Sequence, residues 1–239
     1  MNIRPRRFTG VLLDIDGTLL LSNEAHARAW HDALAEAGYD VPVERLRRLI
    51  GMGGDKVMPA VAPGLAADRP PGSTISRRRG DIFWTKYAGT VRPAPGARAL
   101  LERLERDGYR LAFATSAKRD ELEKLVRAAN VEGLVDTAAS SDAGDSKPDP
   151  DIVEAALQRA DLSARDAVML GDTPYDLEAA GRAGVEMIGV RCGGWSDADL
   201  PGALAVYDDP ADILRNYDSS CFGAVKAGFA GPSRENSAR

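Results

Sequence analysis

Cysteine is nearly absent: Cys192 and Cys221 are the only two in 239 residues. They lie far apart and make neither a metal-ligand spacing nor a disulfide framework. Two free thiols in a reducing compartment are expected. No apolar run approaches the ~18 residues needed to span a bilayer. The basic start MNIRPRRFTG is followed by an apolar run, Val11 to Leu13, that halts at Asp14. That run is too short for a secretory signal, and no small-residue cleavage pattern follows. A cytoplasmic location is therefore expected. No basic stripe stands out and the net charge is −5, so nucleic acid is an unfavoured partner. There is no internal repeat.

What is present is a globular balance, 44% hydrophobic and 28% charged. The length suits one α/β domain, alone or with a smaller insert. Short apolar runs at 10–13, 110–115, 135–140, 167–171, 186–190 and 203–207 read as buried strands of a parallel sheet. Segments of helical period separate them. Ala97, Leu100, Leu101 and Leu104 share one face, as do Leu122, Leu125, Val126 and Ala129. Gly108 stands where the first of these helices should stop. The alternation predicts a doubly wound α/β core.

Residues 21–90 interrupt it with helical pattern and no convincing strand. Helices are expected at 23–37, 43–50, 55–62 and 76–88, with a loop at 63–73. On the first, His26, Trp30, Leu34 and Ala37 share a face and Gly38 ends it. One crossover helix would suffice to join parallel strands, so this stretch reads as a small helical domain inserted after the first strand. The core is then 1–20 with 91–216. The prolines of 91–96 suit a stiff hinge, and 217–239 is expected to be loosely ordered.

Four strand ends carry chemistry. The first runs into Asp14-Ile15-Asp16-Gly17-Thr18. In open α/β sheets ligands bind at that end of the strands. Two carboxylates there can hold a hard cation and divide the work of nucleophile and proton carrier; an Asx turn at Asp16 is the plainer alternative. The second strand ends at Thr115-Ser116, a corner suited to phosphate or to a helix cap. Lys147 lies in SKPDPD (146–151), a proline-framed loop where an ammonium would neutralise a phosphoryl group; Asp149 is expected to cap the next helix and Pro150 to open it. The fourth strand ends at Gly171-Asp172-Thr173-Pro174-Tyr175-Asp176. Thr173 reads as a cap, Pro174 as the first helical residue, and Asp176 as either a dipole partner or a metal ligand.

In this order the motifs DIDGT, FATS (113–116), SKPDPDI (146–152) and GDTPYD (171–176) resemble the haloacid dehalogenase superfamily, over roughly residues 8–215. The helical insert is similar to the cap of the phosphoglycolate phosphatase and β-phosphoglucomutase branch. The resemblance implies a Rossmann-like core and a Mg²⁺-dependent phosphatase acting on a small phosphorylated metabolite. In that scheme Asp14 attacks phosphorus to form an aspartyl phosphate. Asp16 exchanges protons with the leaving alcohol and with water. Thr115, Ser116 and Lys147 bind the transferring group. Asp14, the Asp16 carbonyl and Asp172 hold the metal, with Asp176 close by.

Leu21 departs from the branch, which often has an acid there. His26 and Trp30 match positions that β-phosphoglucomutase-like proteins also fill with His and Trp, though both suit simple packing. Lys56, in the glycine-rich loop 50–56, is a further substrate-binding candidate. A mutase would place an arginine where Gly54 stands; Lys56, Arg47 or Arg48 are the available substitutes. Alternatives to the phosphatase are therefore a sugar-phosphate mutase, a metal-free dehalogenase, a C–P lyase using Lys56, and a non-catalytic binding protein. Oligomeric state is left open.

Overall fold

The computed structural model describes residues 7–135, 137–140 and 144–223. The first elements are β1 (Gly10–Leu13), β2 (Leu20–Leu21), α1 (Asn23–Glu36), α2 (Val43–Arg47), α3 (Gly54–Val61) and α4 (Gly72–Ile82). Next come β3 (Arg92–Pro93), α5 (Ala97–Arg106), β4 (Arg110–Ala114), α6 (Arg119–Ala128), β5 (Thr137–Ala139) and α7 (Asp151–Arg159). The last are β6 (Ala167–Gly171), α8 (Pro174–Arg182), β7 (Glu186–Val190), β8 (Ala205–Tyr207) and α9 (Pro210–Arg215).

Six strands form one sheet in the order β5-β4-β1-β6-β7-β8, parallel throughout. This is the doubly wound order, and its direction reverses between β1 and β6. Every residue of β1 is buried, as a central strand covered on both faces requires. Alternate residues feed two cores. Val11, Leu13, Phe113 and Leu170 join one, with Leu100, Leu104 and Ile213. Leu12, Ala112 and Met169 join the other, with Ile152, Ala156 and Ala179. Leu13 is level with Phe113 and Leu170. Asp14, Thr115 and Asp172 therefore leave the sheet at one edge, beside the reversal point.

All six expected core strands are present, trimmed at some ends; residue 136 of the third lies outside the described residues. The insert differs more. Its ends pair as an antiparallel ribbon, with Leu20 opposite Pro93 and Leu21 opposite Arg92. Strands of two residues leave no periodicity to read. The helix expected at 76–88 starts earlier, at Gly72, and passes into a π-helical turn at Phe83–Tyr87. The helix expected at 43–50 stops at Arg47. In α1, Ala25, Ala29 and Ala33 are buried beside His26, Trp30 and Leu34, because α2 and α4 both pack on it.

One further expectation fails, and another fails for its first seven residues. Pro150, not Asp149, occupies the cap of α7; the Asp149 carboxylate is taken by Lys56 and Arg182 instead. Residues 217–223, the first part of the stretch expected to be loose, are packed. Tyr217 and Phe222 are buried, and the Tyr109 hydroxyl donates to the Phe222 carbonyl at 2.9 Å. Burial of these two aromatic rings offsets part of the chain freedom the segment gives up. Residues 224–239 lie outside the described residues. No helix among the described residues is long and apolar enough to cross a membrane.

Candidate active site

At the sheet edge Asp14, Asp172 and Asp176 converge. Each offers a carboxylate oxygen, and these lie within 4.8 Å of one another. All three are buried. The Lys147 ammonium, also buried, is 2.6 Å from Asp14 Oδ1 and 2.6 Å from Asp176 Oδ1. Among the described residues no donor other than Lys147 reaches Asp176 Oδ1. Its Oδ2 accepts from the Thr173 N–H and hydroxyl, closing a capping box at the start of α8. Thus Asp176 caps a helix with one oxygen and faces the cluster with the other.

Two residues the sequence reading passed over tie the cluster together. The Thr18 hydroxyl lies 3.0 Å from Asp14 Oδ2 and 3.3 Å from Asp172 Oδ1. Asn23 donates to Asp172 Oδ2 and to the Gly193 carbonyl, both at 2.8 Å. Asn23 opens α1, so the insert's first helix reaches into the core site. Gly17, at φ +86°, leaves room for this: a Cβ there would stand 2.2 Å from Asp172 Oδ2.

The charges do not balance among these side chains. Like charges ~4 Å apart repel by about 4 kcal/mol even at an effective dielectric of ~20. Burial pushes Asp14 up to about 7, with Asp176 and Asp16 adding to it and Lys147 opposing. Burial, then Asp176 and Asp14, push Asp172 well above the carboxylate range. Burial alone would lower Lys147, but Asp14 and Asp176 outweigh it and hold the ammonium charged. Three converging acids around one lysine fit a hard divalent cation bound through oxygen.

Asp16 points away from this cluster, towards the insert. It accepts from Ser22 Oγ at 2.5 Å and from His26 Nε2 at 2.9 Å. The His26 ring stacks on Phe83 at 4.1 Å, and its Nδ1 lies 3.5 Å from an Arg79 nitrogen. Arginine only donates, so Nδ1 accepts and Nε2 carries the proton given to Asp16. Burial pushes the Asp16 carboxyl up, but His26, Ser22 and Arg79 outweigh it and hold it below the usual value.

A cleft of about 330 Å³ opens between core and insert. Asp14, Asp16, Thr115, Ser116, His26 and Trp30 all line it. Thr115 accepts the Ala117 N–H at 3.1 Å rather than capping α6. The Ser116 hydroxyl is given to the Gly51 carbonyl at 2.9 Å, so it fastens the insert to the core. Lys56 does not line the cleft. It pairs with Asp149 at 2.6 Å, because the docked loop carries it to the acids beside Lys147. Arg47 pairs with Glu24, and Arg48 lies over the Trp195 ring. Among the described residues the cations that line the cleft are Lys118 and Arg79, the latter held 3.3 Å from Glu121 and over Trp30. Helical phase was the signal for Arg79: Ile75, Arg79 and Ile82 stand at i, i+4, i+7, and both isoleucines are buried.

The same insert loop touches three catalytic-edge loops. Besides Gly51 on Ser116, the Gly53 N–H donates to Ser146 Oγ at 2.9 Å, and Ser146 Oγ donates to Asp55 at 2.6 Å. The Tyr175 hydroxyl donates to the Arg48 carbonyl at 2.6 Å.

Known proteins are similar to this chain. The model of the haloacid dehalogenase-like hydrolase family matches residues 11–190. A phosphoglycolate phosphatase from Nitrosospira multiformis is 31% identical over 79% of this chain and 86% of its own. Protein CbbY from Cereibacter sphaeroides is 32% identical over 74% and 82%. A hydrolase from Pseudomonas syringae superposes with a TM-score of 0.82 at 28% identity, covering 88% of this chain and 98% of its own. The chain belongs to the haloacid dehalogenase-like hydrolase family, in the branch of its phosphoglycolate phosphatase relatives.

Proposed function

We propose that this chain is a Mg²⁺-dependent phosphatase of a small phosphorylated metabolite, with Asp14 as nucleophile. The observation that carries the reading is the buried cluster of Asp14, Asp172, Asp176 and Lys147 at the sheet's reversal point. Residues 21–90 act as a cap domain over a core of 1–20 and 91–216. Relatives called phosphoglycolate phosphatase and pyrophosphatase support the reaction class.

Asp14, Asp172 and the Asp16 carbonyl would hold the ion, with Asp176 beside them. When bound, it supplies the positive charge that lets a carboxylate approach a phosphate dianion. Lys147 and Thr115 hold the phosphoryl oxygens. The bond from Asp14 to phosphorus forms as the bond to the leaving oxygen breaks, giving an aspartyl phosphate. Asp16 gives its proton to that leaving oxygen. It then takes one from the water whose oxygen displaces Asp14. In the resting protein Asp16 is held ionised, which suits the second half. A phosphate dianion arriving beside it raises its proton affinity for the first half.

The mutase alternative asks for a second phosphate site in the insert. Arg47, Arg48 and Lys56 are all engaged elsewhere, which favours hydrolysis. Turnover of p-nitrophenyl phosphate with Mg²⁺ is the test. Asp14→Asn is expected to lose ~10³-fold or more in kcat with an unchanged circular dichroism spectrum; an active variant would refute the assignment.

A further inference from the structure

The cleft wall beyond Asp14 and Asp16 is acidic. Among the described residues Asp55, Asp68, Glu121 and Asp145 line it, against Arg79 and Lys118. Arg79 is already paired with Glu121 at 3.3 Å. Lys56 stands behind the wall, 3.9 Å from Asp55 and 3.8 Å from Asp145. Even with it counted, carboxylates outnumber cations.

This balance constrains the part of the substrate that leaves. An ionised carboxylate accepts hydrogen bonds and cannot donate. A second phosphate or a carboxylate on the substrate also only accepts at neutral pH. Placed against this wall it would meet like charge and satisfy none of the four acids. A hydroxyl donates to a carboxylate and accepts from a guanidinium. The Arg79 Nε–H is buried without an acceptor, and the Trp30 ring offers an apolar surface on the same cleft. The volume lies within the range of cavities that enclose a small-molecule ligand, ~300–1,000 Å³.

We infer that the leaving group is neutral and polyhydroxylated, so that the substrate is a sugar or polyol monophosphate and not a bisphosphate or a phosphorylated carboxylic acid. The inference rests on the phosphatase reading and narrows it.

The test is kcat/KM of the full chain with Mg²⁺ on hexose and polyol monophosphates, a hexose bisphosphate, phosphoglycolate, phosphoethanolamine and p-nitrophenyl phosphate. At least one hydroxylated monophosphate is expected to exceed phosphoglycolate, the bisphosphate and phosphoethanolamine by about tenfold or more. Asp68→Lys is expected to narrow that ratio by raising the anionic substrates relative to the neutral ones. Preference for phosphoglycolate, the bisphosphate or phosphoethanolamine overturns the inference while leaving the phosphatase intact. No turnover of any phosphate, the aryl ester included, refutes the phosphatase instead. Calorimetric binding of the same compounds then decides the ligand class: tighter binding of an anionic or amino compound overturns the inference, and tighter binding of a hydroxylated one upholds it.

Discussion

At the scale of single residues, the groups easiest to find in the sequence are those whose position follows from a strand end. Asp14, Thr115 and Asp172 each follow a short apolar run, so the sheet geometry aims them. Lys147 is framed by its own prolines. Arg79 was harder, because it ends a run of three arginines and only the phase of α4 turns it inward while Arg78 pairs with Glu36 at the surface. Asn23 and Thr18 read as helix and turn formers, and their second task appears only when Asp172 arrives from 150 residues away. The Arg79–Glu121 pair, with both side chains mostly buried, should be costly to break from one side. Arg79→Ala is expected to lose about 1–3 kcal/mol, the usual cost of stranding a buried polar group. Adding Glu121→Gln should recover part of it in urea titrations. An Arg79→Ala protein as stable as the parent would show that the pair contributes nothing.

At the scale of elements, core strands were legible because four or five consecutive apolar residues have no other economical fate in a soluble fold. The β2–β3 ribbon was not, since pairing of two residues is decided by where the insert's ends meet. The segment 217–223 misled for a different reason. The Gly, Ser and Ala content after Asn216 suggests looseness, yet Tyr217 and Phe222 are buried. Phe222 is buried against Tyr109 and Tyr217, with ring centroids 5.8 Å and 6.0 Å away. Phe222→Ala is expected to cost ~3–5 kcal/mol of stability, as truncation of a buried aromatic does. A change below ~1 kcal/mol, smaller than such truncations cost, would mean that this segment is only loosely attached.

At the scale of the whole molecule, the site's charge is coupled to folding. Asp14 titrates near 7 in the folded protein against 3.8 for a free side chain, and Asp172 is raised as well. For a raised carboxyl, the contribution to stability is complete below the unfolded value and is lost as pH climbs through the folded one. Without a divalent ion Asp14 therefore weakens the fold progressively from about pH 4 to about pH 7, and Asp172 acts in the same direction. An ion that needs them deprotonated binds better at high pH. The rise in Tm on adding Mg²⁺ should be larger at pH 8 than at pH 5, reaching about 2.7 kcal/mol of stabilisation when the ion is at a hundred times its Kd. Equal rises at both pH values would disconnect the ion from this cluster. The ribbon has a consequence of another kind. Because Leu20 faces Pro93 and Leu21 faces Arg92, the chain leaves for the insert and comes back at neighbouring points, like the two prongs of a plug. Whatever is wired between the prongs can be lengthened or rebuilt without re-threading the sheet, provided that Ser22, Asn23 and His26, which hold Asp16 and Asp172, are kept.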